Sequence, residues 1–124
     1  MTRDEIMQMD DTALRLAVAK ALGWTIVDRA EFVGVKDASG LSAYEEFPDW
    51  PHDKLAAIDL LDSMTYPDGV SVEYDIIKMI DESEPYYHVI IYWRDDLNSM
   101  YEAEGDTLAL AASRAWLMWR EGEK

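Results

Sequence analysis

The chain has 124 residues, of which 26 are Asp or Glu and only 11 are Lys or Arg, so its formal net charge is −15. A hydrophobic fraction of 49%, with 5 Trp and 7 Tyr, argues against intrinsic disorder, and we expect residues 1–124 to form a single domain. The charge opposes direct binding to nucleic acid or anionic membranes, and the lack of cysteine excludes disulfides, thiolate catalysis and Cys-based metal sites.

The N-terminal part of the chain predicts two helices. Thr2 and Glu5 have the spacing of a capping box, so we expect a short helical turn to begin directly after Thr2. Asp10 or Asp11 then offers the N-cap of a second helix. Gly23 is placed where a left-handed residue ends such a helix. The apolar residues of this second helix recur with the spacing of one helical face: Leu14, Ala17, Val18 and Ala21.

The next part of the chain predicts strands followed by a loop. Residues 24–35 carry Trp, Ile, Val and Phe in short runs, which are typical of one or two strands. Residues 36–50 mix Gly, Ser, Pro and acidic residues. We expect them to form a loop that is partly packed by three aromatic residues, Tyr44, Phe47 and Trp50.

A helix and a β-hairpin are predicted in the second half of the chain. Pro51 suits the first turn of the helix. Residues 70–80 and 86–94 predict two strands, and the acidic, proline-containing segment 81–85 joins them as a hairpin. The apolar side of the helix is formed by Ala57, Ile58, Leu60, Leu61 and Met64.

The C-terminal part completes the predicted fold. Residues 95–105 predict a polar connection, and Asp106 predicts the N-cap of a last helix over 107–120. The element order is therefore α–β–(β)–α–β–β–α. We expect the α+β class, with an antiparallel or mixed sheet of three or four strands covered by helices in an α/β/α sandwich.

The last helix is apolar nearly all round. At 100° per residue, Leu110 and Leu117 lie roughly opposite a larger apolar stripe. One stripe must face the sheet, and the other must be covered by another helix, by residues 36–50 or by a second copy of the chain. Leu110 and Leu117 are therefore candidate residues of a homodimer interface. The larger stripe consists of Leu108, Ala111, Ala112, Ala115, Trp116 and Trp119.

Both ends of the chain carry a helix-packing pattern, in the segments Met1–Ile6, Leu14–Trp24, Leu108–Ala111 and Arg114–Leu117. This pattern resembles that of the phage ABA sandwich family of small phage and prophage proteins. The resemblance implies an α/β/α sandwich encoded by a phage or prophage, working in the cytoplasm of an infected bacterium. It implies no catalytic residues.

The strand over 86–94 offers the best candidate for a ligand site. Its two faces differ, because successive side chains of a strand point to opposite sides. Tyr87, Val89, Ile91 and Trp93 form an apolar face that is typical of a core. Two tyrosines, an imidazole and a guanidinium on the other face can stack on a planar ligand and bind an anionic group, or else reach the rim of the sheet with packed stems. These candidate residues are Tyr86, His88, Tyr92 and Arg94.

The sequence gives no support for a metal, a cofactor or a catalytic centre. The two histidines, His52 and His88, lack the spacing of a His-based metal site, and we expect His52 to be exposed. The acidic segment 95–106 is not an EF-hand loop, because Leu97 and Ser99 stand at ligand positions. No nucleophile elbow, Walker motif or glycine-rich dinucleotide loop is present.

Two functions remain open. The first is a non-enzymatic phage accessory protein that binds a host or phage protein, which can be basic, through its acidic surface and inhibits host defence. The second is a small-molecule binder that sequesters a nucleotide-derived immune signal at the face of Tyr86, His88, Tyr92 and Arg94. The net charge opposes an anionic ligand, so Lys78, Arg94 and Arg114 would have to lie close together.

Overall fold

A computed structural model describes residues 1–26, 32–35, 45–65, 69, 72–80, 84–93 and 96–122. Within these ranges the helices are α1 (Arg3–Gln8), α2 (Asp11–Ala21), α3 (Lys54–Asp62) and α4 (Leu108–Gly122). The strands are β1 (Thr25–Ile26), β2 (Val33–Val35), β3 (Glu45–Glu46), β4 (Glu73–Ile80), β5 (Pro85–Trp93) and β6 (Asp96–Gly105).

The α+β class is confirmed. The strands form two antiparallel sheets of three strands each, in the orders β1-β2-β3 and β4-β5-β6. The first sheet is small, since two of its strands have only two residues. The second is built from strands of eight, nine and ten residues with β5 at its centre. It is the main sheet of the protein.

The predicted start of α1 and the two predicted limits of α2 are confirmed. Thr2 and Glu5 form the capping box of α1, with the Thr2 hydroxyl accepting from the Glu5 backbone N–H at 3.2 Å. Asp10 caps α2 by accepting from the Ala13 N–H at 2.7 Å. Gly23 follows α2 with a φ of 94°, a left-handed conformation that favours glycine. Local hydrogen bonding thus sets the limits of both helices.

The connection expected over residues 95–105 is wrong, because β6 (Asp96–Gly105) pairs with β5 there. Ala103 and Gly105 face the helices and are buried, whereas Glu104 on the other side is exposed. A strand covered on one side tolerates carboxylates on the other. The acidic composition of this segment suggested a loop. In the structure, small and acidic residues alternate along it and form an edge strand.

Two helices begin later than the sequence predicts. The N-cap of α3 is Asp53, which accepts from the backbone N–H groups of Leu55 and Ala56, so Pro51 precedes the helix. At α4 the Thr107 hydroxyl accepts from the Leu110 N–H at 3.2 Å, in the role expected of Asp106. In both cases a neighbouring polar side chain provides the cap.

Helix α4 is the centre of the fold. It contacts α1, α2 and α3 as well as β5 and β6. Leu117 is fully buried within the single chain, so it cannot contact a second copy. The prediction that it belongs to a homodimer interface is therefore wrong. Leu110 is half-buried and packs against the same core. Nine of the 15 residues of α4 are buried: Ala109, Ala111, Ala112, Ser113, Ala115, Trp116, Leu117, Met118 and Trp119.

Among the described residues, the helices lie against one face of the main sheet. On this inner face Val89, Ile91 and Ala103 are fully buried. On the other face Ile77 and Met79 remain 40% and 37% exposed. The described helices therefore do not cover both faces of the sheet. Because α4 is apolar on most sides, the other helices are needed to cover α4. Helices α1, α2 and α3 pack on α4 and bury its outer side.

The close approach of β6 to α4 depends on a glycine. A Cβ atom at Gly105 would lie 2.7 Å from the Ala111 backbone nitrogen and 3.1 Å from the Leu110 Cβ. Such distances are too short for carbon, so a side chain at this position would separate the strand from the first turn of α4.

A buried arginine connects α2 to the segment around β3. The Arg15 guanidinium donates from Nη2 to the Phe47 carbonyl at 2.6 Å and from Nε to the Pro48 carbonyl at 3.1 Å. It also lies 3.3 Å from a Glu46 carboxylate oxygen and 3.9 Å from the centre of the Phe32 ring. These contacts satisfy a charge that would otherwise be costly to bury.

We expect Arg15→Lys to lower the free energy of unfolding by about 1–3 kcal/mol, because an ammonium group cannot reproduce the forked donors and leaves a buried carbonyl without a partner. Urea melts of this variant and of Arg120→Lys, at an exposed position of α4, provide the comparison. Equal stability of the two variants would contradict the role of Arg15.

We expect Trp116→Ala to cost about 3–5 kcal/mol of stability, because Trp116 is among the largest fully buried side chains of the core. Leu55→Ala is the control, since Leu55 is 75% exposed on α3 and its loss should change stability by no more than about 0.5 kcal/mol. Denaturant unfolding of both variants measures the difference. A Trp116→Ala protein as stable as the control would contradict the assignment of Trp116 to the core.

Candidate functional site

The face of the main sheet that points away from the helices is the candidate site, and we call it the open face. Its members follow from the register of the strands, because directly paired residues of antiparallel strands point to the same side. The open face consists of Glu73, Asp75, Ile77 and Met79 of β4, Tyr86, His88, Ile90 and Tyr92 of β5, and Glu102 and Glu104 of β6.

The middle of the open face is occupied by His88. It pairs with Ile77 on one side and Glu104 on the other. Its Nε2 lies 3.4 Å from a carboxylate oxygen of Glu102, and its side chain is largely covered. The imidazole is therefore half-buried and has a carboxylate partner.

One end of the open face is organised by Tyr92. Burial raises the pKa of the Tyr92 hydroxyl, and its hydrogen bond to Asp75 on β4 raises it further. On the inner face Tyr74 donates a hydrogen bond to Asp62 at the end of α3, and this bond raises the pKa of Tyr74 to about 12. Both tyrosines therefore stay protonated at neutral pH and act as hydrogen-bond donors.

Two of the sequence-predicted ligand residues, Tyr86 and Tyr92, line different depressions. Tyr86 lines a depression of about 320 Å³ together with Met7, Glu84 and Arg114, among others. Tyr92 lines a different depression of about 540 Å³ with residues of β4. The two tyrosines are six residues apart on one strand, which corresponds to about 20 Å. Arg94 and the side chain of Trp93 lie outside the part of the chain that the structure describes.

The charges on the open face are unfavourable for an anionic ligand. Four carboxylates, Glu73, Asp75, Glu102 and Glu104, belong to this face. Lys78 pairs with Tyr87 on the inner side, so it does not join them. Arg114, on α4, donates from Nη1 to the Glu104 carbonyl at 2.7 Å. Of the three cations named for a nucleotide site, Lys78 therefore belongs to the inner face, Arg114 contacts the edge of β6, and Arg94 lies outside the described residues.

Several residues of the open face were not anticipated from the sequence. Glu102 and Glu104 were assigned to a connection, so their place beside His88 was missed. Ile77 and Met79 belong to a predicted strand, but their exposure depends on which side the helices cover. The even spacing of acidic residues at 102 and 104 is the signal that an edge strand would have required.

The structure also brings together a second set of titratable groups, between α2 and the start of α3. His52 Nε2 lies 2.7 Å from an Asp11 carboxylate oxygen, and its Nδ1 lies 3.0 Å from both carboxylate oxygens of Asp49. Arg15 Nη1 approaches Asp49 at 4.0 Å from the other side. Only a protonated imidazole donates from both nitrogens, so this arrangement favours the charged ring.

Within the described ranges, no group of three or more His, Asp or Glu side chains is arranged to hold a metal ion. The helices in these ranges are too short or too polar to cross a lipid bilayer.

Comparisons with protein-family profiles, with curated proteins and with solved structures found no match to this chain.

We expect the stability contribution of His52 to depend on pH. The hydrogen bond to Asp49 and the nearby carboxylates raise the pKa of His52 above its usual 6.5. The folded protein therefore binds this proton more tightly than the unfolded chain, so the contribution is present below about pH 6.5 and disappears as the pH rises through the folded-state pKa. It is small, because the side chain is 57% exposed.

Thermal melts of wild type and His52→Gln at about pH 5.5 and about pH 8 measure this effect. The variant should lose more stability relative to wild type at the lower pH. The same difference at both pH values would show that His52 does not act through its proton.

Proposed function

We propose that this protein is a non-enzymatic binding protein, and that its open face docks a basic protein. The observation that carries this proposal is the coincidence on one uncovered face of exposed apolar side chains, tyrosines and carboxylates.

The apolar part of the open face supports protein docking. Ile77 and Met79 are 40% and 37% exposed on β4, and the half-buried Ile90 of β5, which pairs with Asp75, lies diagonal to Ile77. Burial of such side chains gives the main favourable free energy of association. Tyr86 and Tyr92 add rigid aromatic surface with a polar end, and tyrosine is enriched at protein interfaces.

The carboxylates determine what kind of partner fits. Glu73 and Glu104 are exposed at opposite edges of the open face, and the whole chain carries a net charge of −15. A basic partner gains complementary contacts and faster association, whereas an acidic partner or a nucleic acid is repelled. The association should weaken as salt increases, because exposed charges are screened.

The biological setting of the proposal comes from the resemblance of the chain ends to phage proteins. In that setting the partner is a host or phage protein in the cytoplasm of an infected bacterium, and binding would inhibit host defence by blocking a basic cleft. This assignment stays a prediction.

A small-molecule function is the weaker proposal. Tyr86 and Tyr92 line different depressions, and carboxylates surround His88. An anionic nucleotide would meet unfavourable charge at this face.

Site-specific photocrosslinking tests the binding proposal. We expect a photoreactive phenylalanine analogue at position 79, on the open face, to crosslink the protein to a partner in bacterial cells. Position 55 on α3 is the control, because Leu55 is 75% exposed and would capture more protein if capture were nonspecific. The adduct at position 79 should contain a protein with a pI above about 9 and should decrease at high salt.

Equal crosslinking from positions 55 and 79, or capture of an acidic partner from position 79, would contradict the proposal.

A further inference from the structure

The two edges of the main sheet differ in how their main chains are covered. At β6, Arg3 of α1 donates from Nε to the Glu102 carbonyl at 3.3 Å. Arg114 of α4 donates from Nη1 to the Glu104 carbonyl at 2.7 Å. Two helices thus place guanidinium groups on carbonyl groups of this edge strand, where another strand would otherwise pair.

The pairing of β6 is also irregular. The register between β5 and β6 shifts between Ile91 and Tyr92 and again between Tyr92 and Trp93. Bulges of this kind bend an edge strand away from regular pairing, and they are one means by which proteins prevent strand addition. β6 is therefore doubly protected.

The opposite edge, β4, is paired regularly. All eight residues from Glu73 to Ile80 pair with β5 without a register shift, and the strand contains no proline. Ile80, at its end, is 85% exposed. The outer edge of β4 therefore presents a regular row of backbone donors and acceptors.

We propose that an extended segment of the basic partner pairs with the outer edge of β4 and becomes a fourth strand beside β4, β5 and β6. The proposal rests on the binding function above and specifies how the partner is held. Main-chain hydrogen bonds supply affinity in such strand addition, and alternate side chains supply specificity. Charge complementarity selects a basic segment over a second copy, because two chains of −15 repel each other.

The side chains of β4 define the sequence that the added strand should have. On the open face Glu73 and Asp75 lie towards one end, and Ile77 and Met79 towards the other. Directly opposite residues of paired strands contact each other. The partner strand should therefore place two cationic residues at one end and two apolar residues at the other, at alternate positions. In an antiparallel partner strand, the apolar residues come before the cationic residues in the direction from the N-terminus to the C-terminus.

The probe for this inference is the octapeptide Val-Thr-Val-Thr-Lys-Thr-Lys-Thr, acetylated and amidated, titrated into the full chain. Its control has the same sequence with every second backbone nitrogen methylated, so that one row of N–H donors is removed and the side chains are kept. We expect the control to bind at least about tenfold more weakly, since each lost hydrogen bond contributes roughly a factor of ten. We also expect the peptide to slow amide hydrogen exchange within residues 73–80.

A charge variant tests the specificity of the edge. Glu73→Lys should weaken binding of the lysine peptide, and an analogue of the peptide with glutamate in place of lysine should bind this variant better than it binds wild type. Asp59→Lys is the matched control, because Asp59 is exposed on α3 and the change in net charge is the same. It should change affinity much less than Glu73→Lys does.

The outcomes separate this inference from the binding function. Open-face crosslinking together with equal binding of both peptides, or with no protection of residues 73–80, would overturn strand addition while the docking face stands. Loss of both the crosslinks and the peptide binding would overturn both proposals. A dimer in which residues 73–80 are protected without peptide would identify a second copy as the occupant and overturn the basic partner.

Discussion

The packing of α4 against β5 and β6 is the constraint on which the rest of the structure depends. Small residues make it possible, because the absence of a side chain at Gly105 lets the strand approach the backbone of Ala111. Trp116 and Leu117 are then buried on different sides of the same helix. A helix that is apolar on most sides cannot face water, and α1, α2 and α3 pack on it.

This use of the helices explains why the main sheet has an open face. A protein of this size has few elements with which to cover apolar surface, and here α1, α2 and α3 cover α4. The β4–β6 sheet has one solvent-exposed face, as antiparallel sheets often do. The carboxylates of the open face make this side of the sheet compatible with water.

The chain has few cationic residues, and three of its arginines bind main-chain carbonyl groups and so stabilise the fold. Arg15 holds the segment around β3 against α2, while Arg3 and Arg114 contact the main chain of β6. These three guanidinium groups are thus used to bind main-chain carbonyl groups.

The sequence by itself determined the local elements. Thr2, Asp10 and Gly23 set the ends of two helices through caps and a left-handed turn, which involve only near neighbours in the chain. Only the tertiary structure decided that residues 96–105 form a strand, that Leu117 is covered within one chain, and that Tyr86 and Tyr92 line separate depressions. The physical reason is that periodicity shows which side chains share a face, whereas the exposure of that face depends on what packs against it. In this protein α1, α2 and α3 pack against α4 and not against the second face of the sheet.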